Sequence, residues 1–359
     1  MTLIGLILLV HLVGCEGEQQ TVRPTVNVYQ EGAPFSTQRD FDVSEGEFGH
    51  LGVFVLEQMQ DRFPYRLAFS DRELEAALWI EALLVSLGFD EEQIEFQNFD
   101  INTPTSSWWG EAISMVEMYE QMGDYDNVKR IDTSQNVILT MPGQTDETII
   151  IGAHYDGVGN PGISDNAAGV ALLIETAYRL KDLDHYYTLQ FVFFGAEEVG
   201  LIGSFYFADS LTDDEIDRLV LVVNADVILD GPDLIYGVAY VIGDPQRALW
   251  GDINLSFNEV TDLIDDYAAL VNRTYNTSLI RLPEAITLPS DQLAFLQFSV
   301  PTMNFFGTHP TPDGMLFAGE VLHTPNDDLD FIMENMPGRI EVALDTFGRF
   351  LTKVLLSEL

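Results

Sequence analysis

Two adjacent glutamates, Glu197 and Glu198, follow a short apolar run in the stretch FVFFGAEEVGLIGS, residues 191–204. The run at 191–194 is apolar without alternation, which is typical of a strand buried on both faces. Carboxylates at the rim of a core must be paired or bound to a metal, because an isolated buried charge is costly. The pair is therefore either part of a solvated loop in an acidic chain or part of a cation site.

Other carboxylates and imidazoles follow other predicted strands. His154 and Asp156 come after the run IIIGA. Asp165 opens the next predicted helix in GISDNAAG, Asp226 follows LVLVVNA, and His323 lies beyond the last predicted strand in LHTPNDD. Ligands bind at the rim of an open α/β sheet where the strands end, and carboxylates with neutral imidazoles suit Zn²⁺. The sequence therefore predicts a metal site at this rim.

Each of these residues also has a purely structural interpretation. Taken alone, Asp165 is a reasonable helix cap, Asp226 a turn residue and His323 a loop histidine. What favours the metal site is the coincidence of these residue types at successive strand ends of one sheet. Cys15 is the only cysteine of the chain, which excludes a closed thiolate site and an intrachain disulfide.

The predicted elements that position these residues alternate between strand and helix. This pattern predicts an α/β fold: a single globular domain with a mixed, mostly parallel central sheet and helices on both faces. Ser70 and Glu73 form a capping-box pattern before one helix, and Ser290 is predicted to cap another. Strands are expected at 94–101, 136–141, 148–153, 189–194, 219–225, 234–242 and 300–306, the second and third as a pair joined by Pro142 and Gly143. Helices are expected at about 71–87, 111–121, 165–181, 202–209, 258–275, 291–297 and 340–355.

Six motifs resemble those of the M28 zinc aminopeptidases, and they occur in the order typical of that family. They are GAHYDG (152–157), GISDNAAG (162–169), FGAEEVGLIGS (194–204), VNAD (223–226), PSDQLAF (289–295) and HTPND (323–327). The resemblance covers residues from about 136 to 330 and implies the zinc-peptidase form of the α/β fold. It also implies a metal-dependent exopeptidase that removes the N-terminal residue of peptides.

The resemblance implies two Zn²⁺ ions per chain and a ligand set for each. Asp165 corresponds to a bridging ligand with one oxygen on each ion. Glu198 and His323 would complete one site, and His154 and Asp226 would complete the other.

The resemblance also gives roles to two residues that do not bind metal. Glu197 corresponds to the general base, and Asp156 to the carboxylate that orients the imidazole of His154. A cis peptide bond is implied between Asp165 and Asn166.

Some assignments stay open at the level of sequence. His309, in GTHPTPDG, is a rival to His323 as a ligand. Ser290 and Asp291 match a Ser-Asp pair of the family, where Gln292 replaces a histidine found in many members. The oxyanion of the reaction needs a further donor, for which four tyrosines are candidates: Tyr236, Tyr240, Tyr267 and Tyr275.

Two other functions remain as alternatives. One is a glutaminyl-peptide cyclotransferase with a single zinc, which departs from the peptidases at the segment that here reads Asp165-Asn166-Ala-Ala-Gly. The other is an inactive, peptidase-like binding ectodomain, which would be expected to lack a ligand or the base. A carboxypeptidase-like relative would need arginines beside the motifs, and none lies there.

Composition and the N-terminus predict the compartment and the partners. The net charge of −42 repels nucleic acid and anionic membrane surfaces. Residues 1–14 resemble a lipoprotein signal peptide, although no Lys or Arg precedes the apolar run, and Cys15 would carry the lipid. An ordinary secretory signal is the alternative. We expect a tether at 15–40, a peptidase domain at 41–359 with an insertion at about 102–133, and an extracytoplasmic protein that acts on peptides with a free N-terminus.

Overall fold

The computed structural model describes residues 48–104, 128–241, 255–256, 259–282, 289–310, 316–317 and 319–359. The predicted signal peptide, Cys15 and the tether lie outside the described residues, as does most of the predicted insertion at 102–133. Within the described ranges, no helix has the length and apolar character needed to cross a membrane.

Ten strands within the described ranges form one mixed sheet. They are β1 (Ile94–Asp100), β2 (Thr133–Met141), β3 (Thr148–His154), β4 (Thr188–Phe194), β5 (Leu219–Ala225), β6 (Asp233–Val241), β7 (Leu255–Ser256), β8 (Leu279–Arg281), β9 (Thr302–Pro310) and β10 (Leu316–Phe317). Their order is β1-β2-β4-β3-β5-β9-β6-β7, with β8 beside β6 and β10 beside β9. The four central strands β4, β3, β5 and β9 are parallel, and β2 and β6 flank them in the opposite direction.

Helices cover both faces of this sheet, as predicted for the fold class. The α-helices are α1 (His50–Arg62), α2 (Asp71–Ser86), α3 (Ala168–Leu180), α4 (Ile202–Ser210), α5 (Asp213–Ile216), α6 (Glu259–Tyr275), α7 (Leu329–Asn335) and α8 (Arg339–Leu355). Residues of α1, α2, α3, α6, α7 and α8 share the larger core cluster. Helix α4 and a 3₁₀ helix, Asp291–Phe298, share a second cluster on the other face.

The two-sided burial explains why the central strands are continuously apolar. In β4, Phe191 and Phe193 belong to the larger cluster, whereas Val192 and Phe194 belong to the second one. Alternate side chains of a strand point to opposite faces, so both faces of β4 are dry. Burying one such side chain contributes about 1.5–3 kcal/mol to the stability of the fold. The buried strands therefore hold the rim of the sheet in a fixed position.

The predicted pairing of the strands at 136–141 and 148–153 is wrong. Strand β4 lies between β2 and β3, and Phe191 of β4 is opposite Leu139 on one side and Ile151 on the other. The connection crosses the start of β4, where Gly143 donates its N–H to Thr188 Oγ1 at 3.2 Å. A Cβ at position 143 would lie 2.2 Å from the carbonyl oxygen of Tyr187, so the crossing needs glycine.

Candidate metal centre

The predicted ligands lie at one edge of the sheet because they follow parallel neighbouring strands. His154 is the last residue of β3, and Asp226 follows the last residue of β5. Glu198 is reached four residues after the end of β4. Asp165 lies in the turn before α3, and His323 lies in the loop before α7.

The side chain of Asp165 stands between two histidines. Its Oδ1 is 3.1 Å from His154 Nε2, and its Oδ2 is 3.1 Å from His323 Nε2. Asp226 Oδ1 is 3.2 Å from His154 Nε2. Glu198 Oε2 is 3.3 Å from His323 Nε2. Asp165 therefore presents a different oxygen to each imidazole.

These distances suit two Zn²⁺ ions that share Asp165. Atoms bound to one tetrahedral Zn²⁺ at about 2.0–2.1 Å lie about 3.3–3.4 Å from one another. Two groups have all their ligand atoms within 4.8 Å of one another: His154, Asp165 and Asp226, and Asp165, Glu198 and His323. Oε1 of Glu198 is buried and accepts no hydrogen bond within the described structure, which leaves a second oxygen for a cation. A third group joins His154, Glu197 and Glu198.

The acidic groups of the site and His323 have shifted pKa values because they are buried close together. Burial raises the pKa of Glu198 to about 8, and the nearby Asp165 adds to this. Hydrogen bonds to Asp165 and Glu198 raise the pKa of His323 to about 11. Burial alone would raise the pKa of Asp165, but the hydrogen bonds from two imidazoles lower it. The carboxylates therefore require positive charge in their midst.

Asp156 fixes the backbone of the two adjacent glutamates. Its Oδ1 accepts the N–H of Glu197 at 3.0 Å, and its Oδ2 accepts the N–H of Glu198 at 3.2 Å. The distance from Oδ1 to His154 Nδ1 is 3.5 Å, which is long for a hydrogen bond. The sequence indicated only the contact with His154. The support for the glutamates was missed, because it runs through backbone atoms that no motif encodes.

A buried arginine, Arg66, holds the loop between His154 and Asp165. Its Nε donates to the carbonyl of Tyr155 at 2.6 Å. Its Nη1 and Nη2 donate to the carbonyls of Pro161 and Gly162 at 2.5 and 2.6 Å. Arg66 lies outside every motif, so its role could not be predicted from the sequence.

The turn that carries Asp165 is held by Asp327 and by its own glycine. Asp327 accepts the N–H of Ser164 at 2.5 Å and the N–H of Asp165 at 3.0 Å. Gly162 has φ = 60°, and a Cβ there would lie 2.5 Å from the carbonyl oxygen of Asp165. The Asp165–Asn166 peptide bond is cis, as the family resemblance implied. Asp165 and Asn166 have non-helical backbone angles, and helix α3 begins at Ala168 and not at Asp165.

Glu73 is a buried carboxylate on the far side of the glutamate loop. The predicted cap holds in part, since Ser70 Oγ accepts the N–H of Glu73 at 3.2 Å. The Glu73 carboxylate, however, accepts from Phe69 N at 2.7 Å, Ser134 Oγ at 2.8 Å and Ala196 N at 2.9 Å. It thus anchors the residue directly before Glu197, and burial raises its pKa well above the usual range.

The cap predicted for Ser290 is not formed. Ser290 Oγ accepts from Asn224 Nδ2 at 2.9 Å, and Gln292 Oε1 accepts from the same nitrogen at 3.0 Å. Asp291 is fully buried, and burial raises its pKa to about 7. Ser290 and Gln292 thus both bind the side chain of Asn224 on β5, two residues before Asp226.

His309 and the described candidate tyrosines are engaged elsewhere. His309 pairs with Glu320 and belongs to none of the ligand groups found among the described residues. Tyr236 donates its hydroxyl to Asp265 at 2.9 Å, on helix α6. The rings of two further candidates meet cations of α8 and not the metal centre: Tyr267 below Lys353 and Tyr275 below Arg349. The side chain of Tyr240 lies outside the described atoms.

The chain matches a family model and several curated proteins. The model described as Peptidase family M28 matches residues 136–346. The probable lipoprotein aminopeptidase LpqL of Mycobacterium tuberculosis is 41% identical over 98 residues, which are 26% of this chain and 20% of that protein. Leucine aminopeptidase 2 of Trichophyton equinum is 32% identical over 202 residues, 54% of this chain and 35% of that protein. The matched regions therefore make up about a third or less of these relatives.

Solved structures share the fold over nearly their whole length. BSAP, a zinc aminopeptidase from Bacillus subtilis, matches with a TM-score of 0.64 at 18% identity, over 87% of this chain and 96% of that one. An aminopeptidase from Aneurinibacillus sp. strain AM-1 matches with a TM-score of 0.61 at 21% identity, over 88% and 98%. A glutaminyl cyclase from an Acidobacteriales bacterium gives 0.59 at 18%, over 86% and 95%. Since the M28 model covers more than half of the chain, the protein belongs to peptidase family M28.

Proposed function

We propose that the protein is a zinc-dependent aminopeptidase that removes the N-terminal residue from peptides. The observation that carries this proposal is the position of Asp165, which turns one carboxylate oxygen to each of two histidines in an M28 chain. The names of the curated relatives support the same activity, since both are called aminopeptidases.

The five gathered ligands would hold two Zn²⁺ ions in this proposal. His154 and Asp226 would hold one ion, Glu198 and His323 would hold the other, and Asp165 would contact both. When bound, such a pair of ions lowers the pKa of a water molecule and polarises the scissile carbonyl.

Glu197 is the general base of the proposed reaction. It lies beside the two ligand sets without being needed to complete either, and its backbone is held by Asp156. Burial raises its pKa well above the ordinary value, which suits a group that accepts a proton near neutral pH. Glu197 takes a proton from water as the new C–O bond forms. It returns that proton to the peptide nitrogen as the C–N bond breaks.

The charge of the protein supports the choice of substrate. A peptide with a free N-terminus carries a positive ammonium group, and a chain with a net charge of −42 attracts it. The same charge argues against nucleic acid as a partner. Anionic membrane surfaces would likewise be repelled. We therefore propose that a lipid attached to Cys15 is the means of membrane attachment.

We also propose that the protein acts outside the cytoplasm. The lipoprotein-like residues 1–14 before Cys15 support this location, as does the name of the relative LpqL. The peptidase domain would then be residues 41–359, joined to the anchor by the tether at 15–40.

The glutaminyl cyclase alternative has one observation in its favour, the shared fold of a solved cyclase. A single-zinc enzyme would not need two ligand groups. Here His154, Asp165 and Asp226 form one group, in addition to the group that contains Glu198 and His323. The inactive ectodomain would be expected to lack a ligand or the base, and all are present. Both alternatives are outcomes of the tests below.

Replacing the proposed base should separate catalysis from metal binding. We expect Glu197→Gln to lower kcat by about 10²–10⁴-fold, because the amide cannot accept the proton of water. The zinc content, measured by mass spectrometry of the metal, should stay that of the wild type. The control is Glu92→Gln, which makes the same change at an exposed glutamate. Loss of zinc together with activity would show that Glu197 is a ligand.

A panel of aminoacyl amides tests the class of reaction. Amides with a free α-amine should be hydrolysed, and the N-acetylated forms of the same amides should not react. Chelation should abolish hydrolysis and added Zn²⁺ should restore it. Cyclisation of an N-terminal glutamine with release of ammonia would support the cyclase instead, and no turnover by zinc-loaded protein would support the inactive ectodomain.

The stability of the metal-free protein should depend on pH with a defined sign. Folding raises the pKa of Glu198 from 4.5 to about 8, so the folded chain binds more protons than the unfolded chain in that interval. The stability from this group is complete below about pH 4.5 and is lost as the pH rises through about 8. The raised pKa values of Asp291 and His323 act in the same sense. Asp165 acts oppositely, but its pKa is lowered from 3.8, so its interval lies below the pH range tested.

We therefore expect the Tm of chelated protein to fall between pH 5.5 and 8.5, while the zinc-loaded Tm changes less. Calorimetry of both forms in parallel measures the gap between them. A gap that stays constant or narrows with rising pH would contradict this electrostatic description of the site.

A further inference from the structure

His323 is the most exposed of the five proposed ligands. Its side chain is 49% exposed, whereas those of His154, Asp165 and Glu198 are 1–5% exposed. It lies in a loop and has φ = 54°. A ligand placed in this way needs support from its own backbone, because packing does not hold its ring.

The segment directly before His323 is held by a single buried carboxylate. Asp230 is fully buried and lies about ninety residues earlier in the chain. Its oxygens accept the N–H groups of Gly319, Val321 and Leu322, the last two at 2.7 and 2.9 Å. Hydrogen bonds from several N–H groups to one carboxylate are charge-assisted and fix a backbone firmly.

Asp230 belongs to the turn that begins at Asp226, a proposed ligand of the other ion. This turn is bonded to its surroundings at several points. Asp226 N donates to the carbonyl of Phe305 at 3.2 Å, and Leu229 N donates to Ser164 Oγ at 3.3 Å. Ser164 precedes Asp165 in the chain. The turn therefore contacts the side chain of Ser164, the residue before Asp165, as well as the His323 segment.

We propose that Asp230 is a positioning residue that presets His323 for metal binding. This inference rests on the proposed two-metal function. Leu322, whose N–H binds Asp230, is joined by one peptide bond to His323. On the other side Thr324 donates its N–H to the carbonyl of Val321 at 2.9 Å, which closes a tight turn around the histidine. Groups that orient a ligand in this way commonly change metal affinity by about 10–100-fold.

The variant Asp230→Asn tests this role. Oδ1 of Asp230 accepts the N–H groups of Val321 and Leu322, and Oδ2 accepts that of Gly319. The amide of the variant keeps an acceptor for only one of these two sides, turns an NH₂ group toward the other and removes the negative charge from all three hydrogen bonds. Titration of metal-free protein with Zn²⁺ against a chromophoric chelator should show one of the two ions bound about 10–100-fold more weakly and the other unchanged. Excess Zn²⁺ should restore kcat to the wild-type value, which a general folding defect would not allow. The proposal would be overturned if the variant bound each of the two ions with the same affinity as the wild type does.

The matched control is Asp233→Asn. Asp233 lies three residues after Asp230, at the start of β6. Both aspartates interact with Arg339 through Coulombic attraction. The control removes the same charge from the same neighbourhood. We expect both zinc affinities of this variant to equal those of the wild type. A loss like that of Asp230→Asn would assign the effect to charge alone and overturn the positioning role.

Hydrogen exchange of the wild-type protein tests, without any variant, whether Asp230 or the metal orders the segment before His323. If Asp230 holds the segment, the amides of Val321 and Leu322 stay protected when zinc is removed. Loss of their protection on chelation would mean that the metal orders the segment, and the proposal would fail. Failure of the proposed function is distinguishable, since it would appear as absent hydrolysis by a wild type that binds two zinc ions.

Discussion

The candidate metal centre is arranged around the carboxylate of Asp165. Each of its oxygens faces a different imidazole, so both histidines must approach one small side chain from opposite directions. Negative charge gathers there with Glu198 and Asp226, and burial makes it costly without cations. The pKa values of Glu198 and His323 are raised, so both groups hold protons more tightly than usual. Two divalent ions would supply the positive charge that these carboxylates need, and their binding would displace those protons.

Buried carboxylates serve the site in a second way, as acceptors for backbone N–H groups. Asp156 holds Glu197 and Glu198, and Glu73 holds the residue before them. Asp327 holds the turn of Asp165, and Asp230 holds the segment before His323. Each of these hydrogen bonds fixes the direction of the backbone N–H that it binds. Carboxylates thus have two roles at the proposed centre, since some lie where cations would bind and others hold the loops that carry the ligands.

The sequence predicted those parts of the site that local pattern determines. An apolar run of strand length indicates a strand buried on both faces, so the positions of His154, Glu198 and Asp226 just after such runs could be inferred. The sheet order could not, because a chain that crosses over β4 at Gly143 has the same local pattern as a hairpin. Ser290 has the residue type of a cap, yet its hydroxyl bonds to Asn224. Arg66 and Asp230 bind backbone atoms 89–96 and 89–92 residues away, and no side-chain pattern marks such partners.

Crystallography of the zinc-loaded protein, with data collected on both sides of the zinc absorption edge, would locate the ions relative to Asp165. We expect two anomalous peaks per chain, about 3.5–4 Å apart, with one oxygen of Asp165 on each. One peak should also contact His154 and Asp226, and the other should contact Glu198 and His323. A single peak, or a pair of peaks in which Asp165 touches only one, would show that Asp165 does not join two metal sites.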